Sequence, residues 1–151
     1  MITNKTSGFT LLEVLITLVI LAIGLLGLAG LQTTGLKNNL SAYHRSQATQ
    51  LSYDIADRMR ANIAALNSYT TITPTSATEK AACENAATGC TAAAMAEHDL
   101  YEWNTTLEAV LPDGIGTITT SGTEYKITIT WNDDRDGDDT NNASFETSMQ
   151  P

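Results

Sequence analysis

The chain has 151 residues, enough for one domain, and carries 8 basic against 17 acidic residues, a formal net charge of −9. That acid excess disfavours nucleic-acid binding through a broad basic face. The overall 42% apolar content conceals a division. Val14 to Leu31 has no charge and a single hydroxyl, Thr17, whereas all charged residues except Lys5 and Glu13 follow Leu31. A membrane-length apolar segment joined to an acidic body excludes a plain cytosolic globule.

The leader Met1–Gly8 is short and polar, with Lys5 as its charge. Phe9 to Leu31 is 23 residues, roughly 34 Å of helix, enough for a hydrocarbon core of about 30 Å. A retained cation on the cytoplasmic side puts the C-terminal body outside. Gly27-Leu28-Ala29 offers a small-x-small site for an ordinary secretory signal, but the run is longer than a usual signal core and Glu13 sits near its start. A single-pass, uncleaved anchor explains the length and not Glu13. A carboxylate at the hydrocarbon edge costs about 2–3 kcal/mol on insertion scales and needs a partner. Cleavage between Gly8 and Phe9 would create an α-amine one helical turn before Glu13, able to neutralise the Glu13 of another copy.

Ser7-Gly8-Phe9-Thr10-Leu11-Leu12-Glu13-Val14 resembles the leader junction of type IV prepilins and type II secretion pseudopilins. The resemblance implies cleavage after Gly8 by a prepilin peptidase, N-methylation of Phe9, and an assembly contact at Glu13. It also implies an inner-membrane single-pass precursor, a periplasmic head, and polymerisation with apolar helices bundled in a filament core. Partners implied are other minor pilins, the major pilin, the inner-membrane assembly machinery and the lipid bilayer. Gly24, Gly27, Gly30 and Gly35 suit close helix packing, or local loss of helical order in a filament as in pilins.

The helical pattern continues through Leu36, Leu40, Tyr43, Leu51, Ile55, Met59, Ile63 and Leu66, clearest at Leu51–Ile55–Met59–Ile63. Asp54 and Arg58 form an i,i+4 pair of helpful orientation. One helix over 9–67 is expected: a membrane and polymerisation half, 9–31, and an amphipathic half, 32–67. His44 and Arg45 read as solvated residues on its polar face.

Residues 68–151 form the expected head. The Thr- and Ser-rich stretch to Lys80, with Pro74, reads as loop. Cys83 and Cys90 are the only cysteines, and an exported body favours their disulfide over a redox or metal pair. Leu100, Trp103, Leu107 and Val110 share one face of a helix expected at about 99–111, with Asp99 or a residue just before it as cap and Pro112-Asp113-Gly114 as stop. Ser121-Gly122-Thr123 joins strands at Ile115–Thr120 and Glu124–Trp131, and Ser144–Met149 supplies a third, with Phe145 and Met149 on one face. The fold class is therefore α+β: a long N-terminal helix on a small antiparallel sheet with a second short helix. The head also resembles minor pilins in its D-L-Y-E-W-N…L-P-D-G and I-T-I-T-W segments.

Five aspartates and one arginine occupy 133–139. Asn132, Asp134 and Asp136, then Gly137, fit the start of a calcium-loop spacing, but Ala143 stands where a bidentate Glu is expected, and a solvated hairpin loop is the plain alternative. Calcium is the one cofactor the sequence raises. His44 and His98 are isolated, Glu97, Asp99 and Glu102 lie on a charge-rich helix, and no catalytic motif is present, so an enzyme is not expected. The sequons at Asn4, Asn104 and Asn142 carry little weight alone. The reading is a structural subunit of the pilus. The alternatives are a secretion pseudopilin, a ligand binder at a filament tip, and an uncleaved periplasmic adaptor.

Overall fold

The computed structural model describes residues 8–85, 89–134, 137, 138 and 140–151. The chain divides into two compact units, Met1–Leu40 and Ser41–Pro151. The elements are α1 (Leu11–Ala61), a 3₁₀ turn (Ile63–Ala65), α2 (Leu66–Thr71), a second 3₁₀ turn (Pro74–Ser76), α3 (Ala81–Glu84), α4 (Ala92–Val110), β1 (Ile115–Ser121), β2 (Glu124–Trp131) and β3 (Ala143–Met149).

In the first unit the large apolar side chains of α1 all face outward; Leu11 is 83% and Leu26 73% exposed. The helix is long and apolar enough to cross a membrane. Its hydroxyls bond inside the helix: Thr17 donates to the Val14 carbonyl at 2.7 Å, Thr33 to Ala29 at 2.9 Å and Thr34 to Gly30 at 3.1 Å. No side-chain hydroxyl among these three thus needs water.

The expected helix over 9–67 is corrected at both ends. It starts at Leu11, because Thr10 occupies the cap position, and it ends at Ala61. Asn62 leaves helical dihedrals, with φ −118° and ψ 49°, and its side-chain amide donates to the Ala92 carbonyl at 2.8 Å and to the Tyr69 hydroxyl at 3.3 Å. These bonds offer the chain an alternative to the helical ladder. The break rotates the stripe: Ile55 and Met59 are fully buried, Ile63 turns out to 61% exposure, and Leu66 and Tyr69 take its place inside.

In the second unit, α4 begins seven residues before the expected 99. Thr91, not Asp99, is its cap, accepting from the Ala94 amide at 3.2 Å. The Ala92-Ala93-Ala94-Met95-Ala96 run has high helix propensity but no apolar period, so the start is set by propensity and cap rather than by a stripe. Leu100, Trp103 and Leu107 are buried as one face.

The sheet runs in the order β1-β2-β3, all antiparallel. Gly122, at φ 65°, and Thr123 form a two-residue hairpin turn that pairs Ser121 with Glu124. Ile127, Ile129 and Trp131 alternate inward on β2 and join Ile55, Met59, Leu100 and Trp103 in one core. Ile129 faces Phe145 and Tyr125 faces Met149 across the β2–β3 ladder. Gly116 lies under the Trp103 ring: a Cβ there would sit 2.3 Å from its Cη2 and Cζ3 atoms. Trp103 Nε1 in turn donates to the Leu51 carbonyl of α1 at 3.0 Å.

Candidate assembly site and the polar lock of the head

Gly8, Phe9 and Thr10 are exposed ahead of α1, with Phe9 83% accessible. The Glu13 amide bonds to Thr10 Oγ1 at 3.3 Å and to the Thr10 carbonyl at 3.1 Å. Thr10-Leu11-Leu12-Glu13 therefore occupies the cap-to-third-residue span of a capping box. This Thr-x-x-Glu signal stands in the sequence at the leader junction, where the likeness to prepilins overshadows it. It gives Glu13 a local reason to stand where it does: a carboxylate in the first turn faces the positive end of the helix dipole. Glu13 is the acidic residue of that turn, and a strongly exposed apolar surface surrounds it.

In the head, Cys83 and Cys90 are joined by a disulfide that ties α3 to the approach of α4. Around it lies a network that sequence spacing did not reveal beyond the Asp54–Arg58 pair. Arg58 Nε donates to Asp54 at 3.1 Å, and its Nη1 donates to Asp99 at 3.2 Å and Glu102 at 2.5 Å. Tyr69 donates its hydroxyl proton to the second oxygen of Asp99. Burial works against the Arg58 charge, yet the hydrogen bond to Glu102, the field of Asp54 and the bond to Asp99 outweigh it and hold its proton more tightly. The Glu102 carboxyl is held below the usual range by the Arg58 hydrogen bond, against partial desolvation. Burial, then the bond to Asp99, raises the Tyr69 phenol. A cleft of about 440 Å³ opens beside the network, with Ala61, Ala92 and Met95 as apolar wall. The polar groups at its rim, Arg58, Asn62 and Asp99, are already committed to one another or to Ala92 and Tyr69. The arrangement ties α1, α2 and α4 together.

Of the other candidates that the sequence raises, His44 is corrected. It is not solvated but 3% exposed, with Nδ1 3.0 Å from Asp133 Oδ1. Trp131 Nε1 donates to the same oxygen at 3.1 Å. Desolvation pushes the Asp133 carboxyl up, but hydrogen bonds from Ser41, His44 and Trp131 together bring it below its ordinary value. One aspartate of the acidic loop therefore anchors the loop's base instead of facing solvent. Arg45 is exposed as expected. Asn132 is buried and donates its backbone amide to the Pro112 carbonyl at 2.9 Å, Asp134 is exposed, and Asp136 lies outside the described residues. Among the described residues no three His, Cys, Asp or Glu side chains gather around a metal position. His98 is buried too, its Nδ1 accepting from the Lys80 amide at 3.2 Å, so the ring's other nitrogen carries the proton. Glu97 pairs with Lys80 at 2.8 Å. Asn104 is buried, its side-chain amide donating to Glu108 at 2.7 Å, which keeps that sequon inside the fold.

Residues 3–29 match the prokaryotic N-terminal methylation motif, and residues 30–101 match the family described as type IV pilin Tt1218. No curated protein and no solved structure matches the chain. The two matched segments adjoin and cover α1 to the middle of α4, while the three-stranded sheet follows them in the chain. A match to the prokaryotic N-terminal methylation motif is thus followed directly by a segment similar to type IV pilin Tt1218.

Proposed function

We propose that this chain is a minor-pilin-like structural subunit of the type IV pilus, with no enzymatic role. It enters the inner membrane as a single-pass precursor with a periplasmic head, is cleaved after Gly8, methylated at Phe9, and joins the filament with other pilins. There it helps prime assembly and supports twitching motility and adhesion. The observation that carries the reading is the methylation motif over 3–29 immediately before a pilin domain. The finer likeness, to the minor pilin PilV, rests on the head segments Asp99–Asn104, Leu111–Gly114 and Ile127–Trp131.

The mechanism has two parts. Lateral packing covers the exposed apolar face of α1, which is otherwise stable only in lipid. The α-amine at Phe9 of an incoming copy neutralises Glu13 of its neighbour, removing a charge that would cost about 2–3 kcal/mol in the apolar seam. The head then selects neighbours.

The mature N-terminus tests processing: mass spectrometry of the chain from its native host should show methylated Phe9. A mature chain beginning at Met1 or after Ala29 would sink the reading. Glu13→Ala and Glu13→Gln test the seam. Gln keeps the first-turn capping preference and loses the charge. Both variants should reach the membrane and reduce piliation; normal pilus counts and twitching with Glu13→Gln would assign Glu13 to capping alone. Subunits of a secretion apparatus encoded beside this chain, instead of other minor pilins, would favour the pseudopilin alternative.

A further inference from the structure

We propose that the outer edge of β3 docks an extended strand from a different protein chain, one presenting a basic residue to Glu146. The hairpin register fixes which backbone groups are available. In a two-residue hairpin the closing pair exchanges both hydrogen bonds, and pairs alternate from there. Ser121 and Glu124 close the turn, so Glu124, Lys126, Thr128 and Thr130 direct their N–H and C=O groups to β1. Tyr125, Ile127, Ile129 and Trp131 then direct theirs to Met149, Thr147, Phe145 and Ala143 of β3. It follows that the N–H and C=O groups of Ser144, Glu146 and Ser148 point away from the sheet.

The two edges of the sheet are not equivalent. On β1, α2, α4 and the Pro74–Ser76 turn pack alongside. Among the described residues, β3 is hydrogen-bonded as a strand to β2 alone. Its seven-residue ladder is unbroken, and it contains no proline, lysine or bulge; Glu146 is the one charge set on this edge against unselective pairing. A row of directed donors and acceptors of this kind is satisfied by another strand.

A second copy does not fit. Two-fold pairing that overlaps the whole strand and matches the outward groups sets Glu146 opposite Glu146, and like charges directly opposite destabilise. It would also join two units that each hold 16 acidic and 6 basic residues over 41–151. A foreign strand avoids both costs. Opposite Glu146 it meets a carboxylate already drawn to Lys126 at 2.7 Å, with room for a second cation because the Glu146 side chain is half exposed. Its other face would continue the layer of half-buried Phe145 and buried Met149, so apolar residues are expected there in alternation.

The test uses the full chain in its native host. A benzophenone amino acid replaces Ser148, and the irradiated adduct is mapped by mass spectrometry. The expected result is one distinct chain, joined through a segment of alternating pattern containing Lys or Arg. Ser144→Pro removes an outward N–H without touching the β2 ladder, and should lower adduct yield at least tenfold with melting unchanged. Thr147→Pro, which removes an N–H bonded to β2, should instead lower melting. Where Ser144→Pro itself lowers melting, Ser144→Lys serves as the edge-blocking variant. An adduct to a helix or to a second copy, a yield unchanged by either blocking variant, or no adduct would overturn the proposal. Correct cleavage at Gly8 in the same cells separates this failure from failure of the pilin reading.

Discussion

Gly116→Ala is the most direct test of how the head is packed. An ideal Cβ at this position would lie 2.3 Å from two ring carbons of Trp103 and 2.8 Å from Leu107 Cδ1. Neither neighbour has room to withdraw: Trp103 is 1% exposed and Leu107 fully buried. The indole is further held by its 3.0 Å bond to the Leu51 carbonyl. Overpacking of this kind costs about 1–3 kcal/mol, and loss of the indole bond adds about 1 kcal/mol if the ring tilts. The expected total is about 2–4 kcal/mol. At about 4 °C per kcal/mol for a domain of this size, melting falls by about 8–16 °C. The assay is thermal melting of the full chain in detergent, followed by tryptophan fluorescence. Trp103→Phe supplies the control, because the shorter ring lacks the atoms that the new Cβ would meet. In that background Gly116→Ala should cost less by about 1 kcal/mol or more, a coupling read from the double-mutant cycle. Equal costs in both backgrounds, or a wild-type melting point for Gly116→Ala, would refute the close approach of β1 and α4.

Tyr69→Phe should lower stability at pH 7 by about 1–2 kcal/mol, since Asp99 loses the phenol and keeps Arg58. The fold raises the Tyr69 phenol, so its contribution is present below the ordinary tyrosine value of about 10 and is lost as pH climbs above it. Melting should therefore fall through that alkaline range in the parent and fall less in Tyr69→Phe; matching alkaline slopes would contradict the assignment. Replacing both cysteines, Cys83→Ser with Cys90→Ser, should destabilise the head by about 2–3 kcal/mol in the chain-entropy model, matched by reduction of the parent. A melting point indifferent to both treatments would show that the ring does not constrain the unfolded chain.

The parts of this protein that the sequence makes legible are those with a local period. Tyr125, Ile127, Ile129 and Trp131 alternate with polar residues, and β2 occupies the expected span Glu124–Trp131. The apolar run of α1 is legible for the same reason, as is the stop of α4 before Pro112. Local periodicity is silent where side chains decide the backbone. The spacing at Leu51–Ile55–Met59–Ile63 continues smoothly through 62, yet the helix breaks there because the Asn62 side chain finds Ala92 and Tyr69. The same limit hides His44, whose partner Asp133 is 89 residues away, and Arg58, whose carboxylates on α4 are 41 and 44 residues distant. The Thr10–Glu13 cap differs. It is a four-residue signal open to inspection, obscured because the resemblance to a prepilin leader already supplies Glu13 with a purpose.

Those two accounts of Glu13 make different demands on the surroundings of α1. Capping asks for nothing outside the first turn, since the dipole and the Thr10 hydroxyl are supplied by the helix itself. The apolar face asks for a great deal. From Leu11 to Leu31 its large side chains stand outward, and a patch of that extent is covered either by lipid or by other helices. In lipid, Glu13 lies near the N-terminal end of the segment and can reach the polar boundary. In a helix bundle that route is closed, and the carboxylate needs a cation within the bundle. Lys5 belongs to the leader, and the next cation after Glu13 is Lys37, more than about six turns along. The nearest cation that processing can create is the amine of Phe9. Under the proposed assembly, a capped helix start and a charge-neutralised seam are successive requirements on one residue, the first met within the chain and the second by another subunit.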